Sequence, residues 1–198
     1  MATSSTPLDR RDAVAALLAA RGDALVVTGL GSPTWDVAAT SESPFNFYLW
    51  GAMGGAAMVG LGLALAQPSR RVIVITGDGE LLMGLGSLAT IGVARPSNLA
   101  IAVLDNERYG ETGMQASHTA RGVDLAAIAT ASGFRASATV STLDELTSWL
   151  PTLHTADGPV FGVIKVAATQ PPLIVPARDG TYIKHRFREA LLGPKAVL

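Results

Sequence analysis

Two short polar runs carry the residue types best suited to chemistry: Gly77-Asp78-Gly79 and Asp105-Asn106-Glu107-Arg108-Tyr109-Gly110. Asp78 offers a hard carboxylate oxygen between two glycines, which let a backbone come close to a ligand. Asn106 offers a neutral amide oxygen, and a backbone carbonyl just after it can supply a third ligand. One carboxylate with neutral oxygens is a typical protein share for Mg²⁺, which completes its octahedron with phosphate oxygens and water. Gly79 opens a helix, and a helix N-terminus binds phosphate. The two runs together read as a magnesium–diphosphate site. Gly-Asp-Gly alone would be an ordinary turn; the second run at its fixed distance separates the two readings.

The surrounding elements are ordered to bring these runs together. Arg71 to Thr76 is a continuous β-branched run and Leu99 to Leu104 a second apolar one, the mark of strands buried on both faces. Each polar run follows one of these strands, and the intervening Leu81 to Val93 is apolar at helical spacing. Ligands of open α/β sheets bind at the carboxyl ends of strands. Elsewhere the spacing predicts a helix from Pro7 to Ala20, capped by Thr6 with Asp9 in its first turn. A strand follows at Ala24 to Thr28, then a turn through Gly29-Leu30-Gly31-Ser32 and a short element at Thr34 to Ala39. A helix at Val123 to Ser132 and one to about Leu153, capped by a box at Ser141 to Asp144, precede a last strand at Val160 to Val166. A Pro-rich irregular tail at about 167–182 leads to a basic helix from about Ile183 to Leu192. The expected fold class is α/β: a three-layer parallel sheet with helices on both faces.

Composition narrows the function. The 198 residues suit one domain, and 15 basic against 16 acidic residues leave no electrostatic footprint for nucleic acid. The absence of cysteine excludes disulfides, thiolate zinc, iron–sulfur clusters and a cysteine nucleophile. Only 16% of residues are charged, against about 25% in an average soluble chain. Either a bilayer or a partner is implied. Phe47 to Ala66 is twenty residues without a charge, long enough to span a membrane. Five glycines within 51–66 and no flanking basic cluster favour instead a buried helix of a soluble, cytoplasmic protein. Arg10 and Arg11 before AVAALLAA mimic a secretory signal, but Asp9 and Asp12 and the short apolar run argue against one.

Gly77-Asp78-Gly79, twenty-six residues and then Asn106 resembles the cofactor motif of thiamine diphosphate-dependent enzymes. The resemblance implies a diphosphate-binding domain over residues 1–198, with Mg²⁺ held by Asp78, Asn106 and the backbone carbonyl of Arg108. It implies diphosphate contacts from the backbone of Gly77, Gly79, Glu80, Tyr109 and Gly110. In Gly51-Ala52-Met53-Gly54-Gly55, the Gly51 carbonyl would accept from the cofactor's amino group and Met53 would be the apolar shelf that bends the cofactor. Gly31 and Ser32 are further diphosphate candidates. Glu80 stands where a small residue is common, and its carboxylate must point away from a diphosphate.

Such enzymes also need a pyrimidine-binding domain that supplies an activating glutamate. The resemblance covers only the first kind of domain, which implies an α subunit as partner, docked over apolar surface near residues 47–66. Asp105 to Gln115 and the Ile183-Lys184-His185-Arg186-Phe187 tail resemble the β subunit of sulfopyruvate decarboxylase and the corresponding half of phosphonopyruvate decarboxylase. Met114 departs from the glycine those families tend to have. The implied reaction takes an anionic 2-oxoacid to an aldehyde and CO₂, with the thiazolium as electron sink. Glu111, Thr112, Gln115 and His118 follow the metal loop and would face the reacting carbon, with Arg108 available to a sulfonate or phosphonate. His154 and His185 read as structural or exposed. The alternatives are an acetolactate-type carboligase subunit, a 2-oxoacid oxidoreductase β subunit lacking the usual cluster cysteines, and a regulatory cofactor-binding subunit.

Overall fold

The computed structural model describes residues 7–197. Helix α1 (Arg10–Ala19) leads into β1 (Leu25–Thr28), then α2 (Ser32–Thr40), β2 (Asn46–Tyr48) and α3 (Ala56–Ala66). Next come β3 (Val72–Gly77), α4 (Asp78–Met83), α5 (Ser87–Ala94) and β4 (Leu99–Asp105). A small hairpin, β5 (Arg108–Tyr109) and β6 (Gln115–Ala116), precedes α6 (Leu125–Ala131) and β7 (Ala136–Val140). The chain closes with α7 (Leu143–Thr155), β8 (Val160–Lys165) and α8 (Gly180–Leu192).

Six strands form one parallel sheet in the order β2-β1-β3-β4-β8-β7. Alternate residues of its strands face opposite sides, as strand geometry requires. Leu25, Val27, Val74, Ile101, Val103 and Phe161 meet α3, α5 and α6 in one layer. Val26, Ile73, Ile75, Ala102, Leu104 and Ile164 meet α1, α2 and α7 in the other. The expected three-layer α/β architecture is therefore present. From β1 the chain runs out to the edge strand β2 and returns to β3 on the other side of β1. That reversal opens a crevice between the carboxyl ends of β1 and β3.

Several elements differ from the sequence reading. The Thr6 cap lies outside the described residues, and α1 starts at Arg10 rather than Pro7. Asp9 is its N-cap, with its side chain accepting from the N–H groups of Arg11 (2.8 Å) and Asp12 (3.2 Å). The apolar stretch 47–66 is not one helix: its start belongs to β2, residues 49–55 form a loop, and only Ala56–Ala66 is helical. Gly51, Ala52 and Gly54 all take positive φ there, a backbone no helix tolerates. No helix among the described residues is long and apolar enough to cross a membrane.

The 81–93 segment breaks into α4 and α5 around Gly84 to Gly86, because Gly84 sits against the 51–55 loop. A Cβ on Gly84 would come within 2.1 Å of the Gly54 carbonyl oxygen. The box on α7 is Thr142 with Glu145, one residue later than expected. The helix expected over 123–132 is the shorter α6, and α8 starts at Gly180, three residues before Ile183, because Asp179 caps it. Sequence periodicity missed β2 and β7, both short edge strands.

α3 carries no polar side chain, so burial on one face leaves Met58 and Leu65 exposed on the other. Gly60 lets this helix lie directly on the sheet, since a Cβ there would meet Val74 Cγ2 at 2.2 Å.

Candidate cofactor site

The crevice between β1 and β3 deepens into a cavity of about 270 Å³. Leu30 lines it from the turn after β1, Ser32 and Pro33 from the start of α2, Gly77 from the end of β3, and Asp78, Gly79 and Glu80 from the start of α4. Asn106, Arg108, Tyr109, Gly110, Glu111 and Thr112 close it after β4, and Met53 and Met83 stand at its apolar side. The two polar runs, far apart in sequence, thus share one wall because β3 and β4 are hydrogen-bonded neighbours with Gly77 opposite Leu104.

Asp78 is 1% exposed. Its Oδ2 accepts a hydrogen bond from the Ser117 hydroxyl, and Thr119 Oγ1 lies 3.3 Å away. The Thr119 proton goes to the nearer acceptor, Asp105 Oδ1, at 2.8 Å. Burial pushes the Asp78 carboxyl up to about 6, against the opposing pull of the Ser117 hydrogen bond and with added repulsion from Asp105. A carboxylate so placed gains strongly from a cation. Asp105 is the structural member of the group: Lys165 Nζ bonds its Oδ2 at 3.0 Å and also meets Glu107. Burial lowers the Lys165 pKa, but the two carboxylates outweigh it and the net direction is up.

The loop at 105–108 is set by backbone-directed side chains. Asp105 Oδ1 accepts from the Glu107 N–H (3.0 Å) and Asn106 Oδ1 from the Arg108 N–H (2.9 Å). Glu107 is left at φ +61, a strained position for a non-glycine residue and one found at functional turns. One lone pair of Asn106 Oδ1 remains for a cation.

Glu80 resolves the difficulty its charge raises. Its carboxylate turns under the turn after β1 and accepts from Thr76 and from the Ala56 N–H (3.3 Å) at the start of α3. Burial raises its pKa, against these hydrogen bonds. Gly79 leaves room for the Tyr109 ring, because a Cβ would come 2.6 Å from Tyr109 Cδ1.

The other candidates divide. Glu111 lines the cavity, lies over Gly31 and accepts from Trp35 Nε1 at 3.4 Å. Trp35 in turn packs on Trp50, ring centroids 5.1 Å apart, and Trp50 Nε1 donates to the Ala177 carbonyl of the tail (3.0 Å). Thr112 also lines the cavity. Gln115 and His118 are not among its lining residues. Gln115 turns back on Thr112 across the hairpin, through Nε2 to the Thr112 carbonyl at 2.9 Å. His118 Nδ1 is 3.2 Å from the Tyr109 hydroxyl. Neither Gly31 nor Gly51 lines the cavity, though Gly31 sits against the lining residue Glu111. Sequence reasoning missed Ser117 and Thr119, whose hydroxyl type carries no motif, and Arg10, which lines the cavity from the start of α1.

The residues present fit a magnesium diphosphate. They offer one buried carboxylate, one amide oxygen, glycine backbone at a helix start and an apolar flank for an organic ring. Fold and site define an open parallel α/β domain with a cavity at the strand-order reversal, the usual place for a cofactor in such folds. A family model described as "Thiamine pyrophosphate enzyme, C-terminal TPP binding domain" matches residues 30–164. The chain belongs to this family of thiamine pyrophosphate enzymes.

Sulfopyruvate decarboxylase subunit beta of Methanothermobacter thermautotrophicus is 37% identical over 94% of this chain and 97% of the relative. Phosphonopyruvate decarboxylase of Streptomyces viridochromogenes is 39% identical over 88% of this chain but 44% of the relative. The benzoylformate decarboxylase structure from Polynucleobacter necessarius shares the fold, with a TM-score of 0.73 at 21% identity over 85% of this chain and 35% of that one.

Proposed function

We propose that this chain is the diphosphate-binding half of a split thiamine diphosphate-dependent decarboxylase that acts on an anionic 2-oxoacid of the sulfopyruvate or phosphonopyruvate kind. The observation that carries the reading is the meeting of Asp78, Gly79 and Asn106 with Met53 in one cavity. Near-complete coverage of a relative named as a beta subunit supports the split arrangement.

Asp78, Asn106 and the Arg108 carbonyl would hold Mg²⁺, and the backbone of Gly77 to Glu80, Tyr109 and Gly110 would hold the diphosphate. The bound thiazolium supplies an electron sink for the carbanion left by departing CO₂. The chain's own residues bind, orient and shield. Met53 supports the ring from its apolar side. Arg108, whose Nη1 bonds the Glu107 carbonyl at 3.1 Å, presents positive charge at the cavity wall to the substrate's distal anion. Glu111 and Thr112 face the same space and are placed to hold a proton or a carboxylate in register. The activating glutamate belongs to an α-type partner. Met53, Met58 and Met83, 37%, 40% and 59% exposed, form the apolar surface that a partner would cover.

The test is co-purification with an α-type partner followed by product analysis on sulfopyruvate, phosphonopyruvate and pyruvate. An aldehyde with equimolar CO₂, dependent on Mg²⁺ and thiamine diphosphate, supports the reading. Exclusively C–C-bonded products point to carboligation instead.

A further inference from the structure

Arg10 is the only lysine or arginine among the described residues that is buried, at 5% exposure. It occupies the first position of α1, the positive end of the helix dipole, where a cation is least favoured. Its Nε bonds Asp36, which is itself fully buried and also takes Arg11 Nε at 3.2 Å. Two guanidiniums share one carboxylate, so the cluster carries a net positive charge, with Arg10 and Asp36 buried and Arg11 about a quarter exposed. A surplus positive charge at a cavity wall attracts an anion.

The position of that charge says where the anion goes. Arg10 lines the cavity together with Ser32, Asp78 and Asn106. It also lines the adjoining hollow, which shares Ser32, Asn106, Gly110 and Glu111 with the cavity but not Met53 or Met83. Arg10 therefore belongs to the end away from the apolar flank. Its Nη1 reaches the Thr169 carbonyl at 3.4 Å, and Nη2 has no hydrogen-bond partner among the described residues. The guanidinium is held on two edges and leaves a donor nitrogen over.

We propose that Arg10 is a ligand of the terminal phosphate of the diphosphate. The assignment rests on the cofactor reading above. It gives the positively charged Arg10–Asp36–Arg11 cluster a chemical partner, and it adds a side-chain cation to a site otherwise built from backbone and a metal. Arginine matches phosphate geometry better than lysine because its planar fork presents paired donors.

The experiment is isothermal titration calorimetry on the complex with the α-type partner, with Mg²⁺, comparing thiamine diphosphate and thiamine monophosphate in wild type, Arg10→Met and Arg10→Lys. The assignment expects Arg10→Met to weaken the diphosphate about tenfold or more, the value of one charge-assisted hydrogen bond, and the monophosphate far less. Arg10→Lys, which keeps the pair with Asp36, should fall between. Competition by inorganic pyrophosphate should weaken in parallel.

Equal loss for both thiamine esters, or an unchanged ratio, overturns the assignment, as does a changed KM for the 2-oxoacid with no change in diphosphate affinity. If Arg10→Met does not fold, by circular dichroism, the Arg10→Lys ratio decides alone. Absence of diphosphate binding in the wild type overturns the cofactor reading itself, a result distinct from normal wild-type binding with indifferent variants.

Discussion

Glu80 lies directly beneath Gly29: a Cβ on Gly29 would stand 1.6 Å from Glu80 Oε2. The carboxylate cannot swing aside, because Thr76 and the Ala56 N–H hold it. One side chain thus ties the turn after β1, the end of β3 and the start of α3, the three segments that frame the cavity. A residue that looks misplaced beside a phosphate site in sequence is an internal brace in the fold.

Gly29→Ala should accordingly destabilise the protein by about 1–3 kcal/mol through overpacking. Adding Glu80→Ala should make the double variant less destabilised than the sum of the two single changes. Urea denaturation of the four proteins measures both effects. Additivity would show that the two residues do not compete for space.

Asp78→Asn should separate stability from binding. The folded carboxyl sits at about 6, above its ordinary 3.8, so the folded state holds this proton more tightly than the unfolded chain. The Asp78 contribution is therefore greatest at low pH and declines as pH rises from about 4 to 6. Without metal, the asparagine variant should be more stable than wild type at pH 7, by at most roughly 3 kcal/mol. It should also show a flatter stability–pH curve. Saturating Mg²⁺ with thiamine diphosphate should reverse the order, raising the Tm of wild type and leaving the variant unmoved.

Ser117→Ala removes the hydroxyl that donates to Asp78 Oδ2. The loss of a hydrogen bond to a buried acceptor costs about 1–3 kcal/mol and raises proton affinity at Asp78 further. Magnesium must then displace a more tightly held proton. Calorimetric Mg²⁺ titrations across pH should show the point of half-lost binding moved to higher pH.

Gly60 and Gly62 lie two residues apart on α3 and should respond in opposite directions to alanine. At Gly60 the new methyl meets Val74 Cγ2 at 2.2 Å, so overpacking should cost about 1–3 kcal/mol. At Gly62 nothing lies within 4 Å, and helix propensity should return up to about 1 kcal/mol. Thermal denaturation of the isolated chain compares them directly.

The sheet strands with continuous apolar runs were legible from sequence because burial on both faces demands apolar residues at successive positions. Val72 to Thr76 and Leu99 to Leu104 are such runs, and the polar residues at their ends line one cavity. Asn46–Tyr48 and Ala136–Val140 were not legible: short edge strands need pairing on one side only. The uncharged stretch 47–66 misled because hydropathy does not record φ, and the positive φ of Gly51, Ala52 and Gly54 ends any helix there. Contacts that depend on tertiary return of the chain, such as Ser117 to Asp78 or Arg10 to Asp36, have no local signal. Gln115 and His118 stand one residue back from the cavity, bonded to its lining residues Thr112 and Tyr109, a placement that only the folded hairpin reveals.

The tilted pair Trp35 and Trp50, with ring planes 57° apart, gives the chain a built-in optical readout. One indole is bonded to Glu111 at the cavity and the other to Ala177 in the tail. Displacement of either partner changes the polarity around the coupled rings, so the emission of unlabelled protein registers cavity occupancy and tail docking in one spectrum. The third tryptophan, Trp149, packs against Gly162 in the middle of β8 and contributes a steady background.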